Sequence, residues 1–112
     1  MSNVAYLGTA REAAARQDWF TVHQYGLKAA YAPSATAAER CEARRLLALS
    51  SLQVGLVEDA LSHAVGAHLL ATVLCDPVAE REAVELVGLI MAHQPKLDEE
   101  GRSNVPTEFR IM

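Results

Sequence analysis

An all-α domain is what this sequence predicts, and three observations predict it. Apolar residues make up 51% of the chain but aromatics only 5%, so the core must be built from Ala, Leu and Val. Alanine has the highest helix propensity, and its small side chain lets helix axes approach closely. The apolar positions recur every three or four residues through five segments, the spacing of a helix face. Asp18, Pro33, Gly55 and Pro77 stand between those segments, at points suited to helix starts and stops. A chain of 112 residues is one domain by size. It is expected over residues 1–95, with 96–112 as an extended C-terminal tail.

The first helix is expected over Asn3–Arg16, with Val4, Leu7, Ala10, Ala14 and Ala15 on its inner face. Gly8 weakens it by roughly 1 kcal/mol relative to Ala. Asp18 can cap the second helix, Trp19–Ala32, whose stripe is Trp19, Val22, Tyr25 and Ala29. Pro33 ends that helix, because the residue before a proline is pushed out of the helical region. Thr36-Ala-Ala-Glu39 reads as a capping box opening a third helix to Val54. Its stripe carries Cys41, Leu47, Ala48 and Leu52. Gly55 stops it in the left-handed conformation.

The fourth helix, Leu56–Leu74, is apolar nearly all round after Asp59, which predicts the most buried helix of the set. Asp76 and Pro77 form a cap and first turn for the fifth, to about His93. Val84, Val87, Ile90 and Met91 are expected to face inward there, and Pro95 to close the helix. Val105–Met112 alternates loosely and is expected to lie extended.

Composition excludes several functions. A net charge of -4 lacks the basic surface that displaces counterions from nucleic acid. The local group Arg40, Arg44 and Arg45 is interleaved with Glu39 and Glu42 and reads as a solvated face. Cys41 and Cys75 have no Cys-x-x-Cys form and read as thiols of a reducing compartment. Neither a secretory leader nor an apolar run of roughly 20 residues is visible, so a cytoplasmic protein is expected, with no membrane partner.

The chemistry of catalysis is also missing from the pattern. His63 and His68 are five residues apart, about 140° around a helix, too far round to share a metal. His23 and His93 have no ligand spacing either. Phosphate-binding glycine loops and a nucleophile elbow are absent. The carboxylates Glu58, Asp59, Glu80, Glu82 and Glu85 lack the Glu-x-x-His partners of a bundle metal site and read as exposed helix starts. A non-catalytic protein without metal or cofactor is therefore expected.

An internal echo points to binding instead. Ala10 and Ala48, Val22 and Ala60, and Ala29 and Ala67 each align at an offset of 38 residues. Gly55-Leu-Val-Glu-Asp-Ala60-Leu61, continuing to Ala64 and Ala67, resembles the second half of a tetratricopeptide repeat. Leu47-Ala48 falls at that family's large-then-small pair, and Gln17–Val22 resembles the turn of a first repeat. The chain departs from the family in its 38-residue offset, against the usual 34. Ala13 and Ser51 also stand where a tyrosine is usual. The resemblance, over residues 3–74, implies a right-handed superhelical stack of two antiparallel hairpins plus a fifth, solvating helix.

The resemblance also implies a partner surface on the first helix of each hairpin. That surface carries Leu7, Arg11 and Ala14 from one copy, and Glu42, Arg45, Leu49 and Gln53 from the other. The function it implies is an adaptor or chaperone-like module that binds a protein or peptide partner. The alternative is a self-associating protein, dimeric through the fourth helix and the C-terminal tail. A ligand-binding or enzymatic pocket is the third reading, and no convergence of titratable residues in the sequence favours it.

Overall fold

The computed structural model describes the backbone of residues 3–104 and the side chains of residues 4–92. Among these residues every regular element is a helix: α1 (Asn3–Ala15), α2 (Trp19–Tyr31), α3 (Ala37–Gln53), α4 (Val57–Leu74) and α5 (Pro77–Asn104). Each helix packs on the next, and α3 also meets α1 and α5, so it touches all four of the others.

Local chemistry sets the boundaries. The Asp18 carboxylate accepts hydrogen bonds from the Thr21 backbone N–H and hydroxyl, fixing the start of α2. At α3 the capping box is complete: Glu39 N–H donates to Thr36 Oγ1, and Thr36 N–H donates to Glu39 Oε1. Gly55, at φ +86°, ends α3. Asp76 Oδ1 accepts from the N–H groups of Val78 and Ala79, at the turn that Pro77 opens.

The turn between α1 and α2 is repeated between α3 and α4. Gln17 and Gly55 both have positive φ, and the next residues, Asp18 and Leu56, share nearly the same backbone angles. Asp18 N–H donates to the Ala13 carbonyl, and Leu56 N–H donates to the Ser51 carbonyl, in the same relation. The offset is 38 residues each time, the spacing read from the sequence.

Most of the buried apolar side chains are alanines, and the largest fully enclosed ones are Leu47, Ile90 and Val22. Leu7, Ala29, Ala30, Ala43 and Leu47 join α1, α2 and α3. Cys41, Ala67, Ala71, Ala79 and Ala83 join α3, α4 and α5. Ala48, Ala60, Ala64 and Ile90 form the third group, at the other end of the same three helices. At Gly26 α2 sits tightly on α3: a Cβ there would lie 3.0 Å from Leu47 Cδ2.

Several sequence expectations are corrected. In α1 the inner face includes Ala13, while Val4 and Ala15 are exposed. Trp19 and Tyr25 are half-buried. Helix α4 is not the most buried: it encloses only Ala60, Ala64, Ala67 and Ala71, and Val65, Leu69 and Val73 face outward. A stripe of alanines is enough to seat a helix closely, so its other apolar residues stay outside. In α5 Ile90 is enclosed and Val87 half-buried, but Val84 and Met91 are exposed, and Ala79 and Ala83 take the inner positions. Pro95 does not close α5, which runs on to Asn104. A proline removes one hydrogen bond and crowds the preceding turn, and a helix can continue past it. Val105–Met112, expected to be extended, lies outside the described residues.

Ser51 is fully enclosed and its Oγ has no hydrogen-bond partner, whereas Ala13, its counterpart 38 residues earlier, has no polar atom to satisfy. Ser51→Ala is expected to stabilise the fold by about 1 kcal/mol. Gly26→Ala should cost up to about 2 kcal/mol net, because overpacking against the fully enclosed Leu47 outweighs the roughly 1 kcal/mol that Ala gains in a helix. Urea unfolding of the two variants beside the parent chain checks both signs.

Candidate partner-binding surface

Because α3 meets both α1 and α5, side chains from three helices come together along one side of the molecule. Arg11 of α1 donates through Nε and Nη2 to the two carboxylate oxygens of Glu42 on α3. One turn along α3, Arg45 donates through Nη1 to Glu82 of α5. A row of alternating charge therefore crosses α1, α3 and α5. The fork of Arg11 matches the planar carboxylate, which fixes direction as well as distance.

Beneath the second ion pair lies a cavity of about 260 Å³, lined by Glu42, Arg45, Leu46, Leu49, Glu82 and Leu86. Three leucines make its apolar wall, and charged groups stand at its rim. Arg45 is held at one end and enclosed at the other. Its Nη1 reaches Glu82, and its Nε is shut off from solvent with no hydrogen-bond partner.

The structure brings together four of the residues predicted from the sequence: Arg11, Glu42, Arg45 and Leu49. Leu7 is 2% exposed and packed among Ala29, Ala30, Ala43 and Leu47, so it holds helices together and cannot touch a partner. Gln53 is exposed at the last turn of α3 but does not line the cavity, and Ala14 is half-buried. The sequence reading missed Glu82, Leu46 and Leu86. Their signal was the spacing Ala79, Ala83, Leu86, Ile90, a stripe at four and three residues that places Glu82 and Leu86 beside α3.

Electrostatics within the row are mutual. The hydrogen bonds from Arg11 pull the Glu42 carboxyl below its usual range, against the opposing effect of burial. The same contact raises the Arg11 guanidinium. Nearby, burial pushes the Cys41 thiol up, and Arg45 only partly offsets this. Cys41 is enclosed, with Sγ 3.4 Å from the Ala67 carbonyl oxygen, an arrangement that disfavours a reactive thiolate. Among the described residues no three His, Cys, Asp or Glu side chains come together as a metal site, and no helix is long and apolar enough to cross a membrane.

A second concavity, about 210 Å³ and almost wholly apolar, lies where α2 begins and α3 ends, lined by Trp19, Phe20, His23, Ser50, Val54 and Leu56. Trp19 thus both supports the first hairpin and shows one side to solvent.

Glu42 carries the pH dependence of the charged row. Its folded pKa is depressed, so the ion pair's stabilisation is present above the unfolded value of about 4.3 and is lost as pH falls through the folded value. For a partly exposed pair the size is about 0.2–1 kcal/mol. Glu42→Gln is expected to remove that increment at pH 7 and to differ less from the parent chain at pH 3 than at pH 7. Urea midpoints at the two pH values check this.

Comparison of the chain with protein-family models, with curated proteins and with solved structures finds no match.

Proposed function

We propose that this protein is a non-catalytic interaction module of the cytoplasm, an adaptor or chaperone-like domain. It binds a peptide or helix of a partner on the surface made by α1, α3 and α5. The observation that carries the reading is the leucine-walled cavity between α3 and α5, rimmed by Glu42, Arg45 and Glu82. An apolar side chain of the partner enters beside Leu46, Leu49 and Leu86. Flanking polar or acidic groups compete for Arg45 and Arg11, which gives direction and selectivity.

The arrangement behind that surface is, in this proposal, a tetratricopeptide-like stack with a right-handed superhelical course. Two facts support it: the same turn recurs after 38 residues, and the first helices of the hairpins, with α5, lie next to one another. In such a stack the first helices line the inner surface, where an extended segment can lie across several of them.

The test is a peptide array followed by solution affinities for any peptide retained. Arg45→Glu combined with Leu49→Asp should weaken binding by about tenfold or more, as expected for a buried anchor and a desolvated charge. Unchanged affinity in a folded double variant rules the surface out.

A second reading, self-association, is favoured by Val65, Leu69 and Val73, spaced four residues apart along α4 and all exposed. There α4 and the C-terminal segment 96–112 meet a second copy. Sedimentation velocity over a hundredfold concentration range decides it. A mass that doubles, and that Leu69→Asp returns to one chain, supports the dimer. A constant single-chain mass removes it.

A further inference from the structure

We infer that the cavity bounded by α2, α3 and α4 is a binding site for a small amphiphilic oxyanion, a carboxylate or phosphate carried on an aromatic or short aliphatic body. The cavity is about 390 Å³, and its walls include Tyr31, Arg40, Arg44, Gly66, Leu69 and Leu70. That volume falls within the range of small-ligand pockets, roughly 300–1,000 Å³. It shares no lining residue with the leucine-walled cavity on the other surface, so the inference does not rest on the peptide-binding proposal.

Charge is the first argument. Arg40 and Arg44 stand one helical turn apart and reach the same space. The ion pairs among the described residues are Arg11–Glu42 and Arg45–Glu82, so neither cavity arginine is engaged in one. Arg40 makes a long contact of 3.4 Å from Nη2 to the Ala32 carbonyl, and its Nε is enclosed without an acceptor. The Arg40 Nε is shut off from solvent and so from the cavity, which leaves the terminal Nη groups of the two guanidiniums as the donors for a carboxylate or phosphate.

Preorganisation is the second argument. Arg44 lies over the Tyr31 ring, 5.6 Å from its centroid, and its Nη1 is 3.4 Å from His63 Nδ1. Burial, with a smaller contribution from Arg44, lowers the His63 pKa and favours the neutral ring, which in its Nε2–H tautomer accepts at Nδ1. Gly66 makes room for this pose: a Cβ there would lie 3.2 Å from Arg44 Nη1. The guanidinium is thus seated before any ligand arrives.

The apolar wall sets the rest of the ligand. Leu69 is 60% exposed and Tyr31 62%, and both border the cavity. A bare inorganic anion leaves them uncovered, whereas a ring or short chain attached to the anion covers both.

The test titrates the full chain with phenyl phosphate, benzoate and inorganic phosphate, following the arginine side-chain Nε–H signals by NMR. Phenyl phosphate or benzoate should shift the Arg40 and Arg44 signals saturably. The better of the two should bind about tenfold more tightly than inorganic phosphate, a gain a few buried carbons supply. Whichever binds more tightly names the anion. Arg44→Gln and Arg40→Gln should each weaken binding about tenfold, the scale of one charge-assisted contact. Leu69→Ser should erase the advantage over inorganic phosphate. No saturable shift by about 10 mM, weaker than any useful small-ligand affinity, overturns the proposal. Full affinity in folded Arg44→Gln overturns it equally. If neither glutamine variant folds, the signals of the parent chain and the Leu69→Ser comparison decide.

Discussion

The close seating of α3 against all four other helices is the constraint on which the rest depends. It is possible because the side chains at the crossings end at Cβ or little beyond. Ala43 and Ala48 of α3, with Ala29, Ala60, Ala64, Ala67 and Ala83 on its neighbours, are all enclosed. Gly26 goes further and removes the Cβ where α2 meets Leu47. Close-packed interiors tolerate little change in volume, so these contacts fix the helix positions more firmly than larger, flexible residues would.

Thin helix contacts have a consequence for the surface. A stripe of alanines occupies a narrow part of each helix, and the larger apolar residues beside it remain outside. Val73 of α4 is 77% exposed for this reason, although α4 is the most apolar helix by sequence. The same geometry leaves shallow spaces between helices, walled by leucines on the α3–α5 side and by Leu69, Leu70 and Tyr31 on the α2–α4 side. Alanine-based packing and an abundance of concave, partly apolar surface are two results of one cause.

Charge is distributed over that surface by α3. Residues 40 to 45 hold three arginines and Glu42, and the twist of the helix sends them to different sides. Arg45 and Glu42 turn toward α5 and α1, where Glu82 and Arg11 neutralise them. Arg40 and Arg44 turn toward α2 and α4, where Tyr31, His63 and the Ala32 carbonyl meet them in place of a carboxylate. The linear sequence shows a mixed cluster that reads as solvated. In the fold it separates into a paired half and an unpaired, partly enclosed half.

What the sequence determined by itself was local. The cap at Asp18, the capping box of Thr36 and Glu39, the stop at Gly55 and the start at Asp76-Pro77 each depend on groups within four residues, and each stands where the chain predicts it. The 38-residue echo was legible because Ala10 and Ala48, Val22 and Ala60, and Ala29 and Ala67 occupy enclosed positions where only small or compact side chains fit. Arg11, Glu42, Arg45 and Leu49 were legible as one surface once that echo was aligned. Tertiary structure alone decided which apolar residues go inside, since α4 offers several faces of similar hydropathy and only its contacts with α3 and α5 select the alanine one. It also decided the partners of each arginine, because attraction between charges depends on distances across helices that no spacing along one helix encodes.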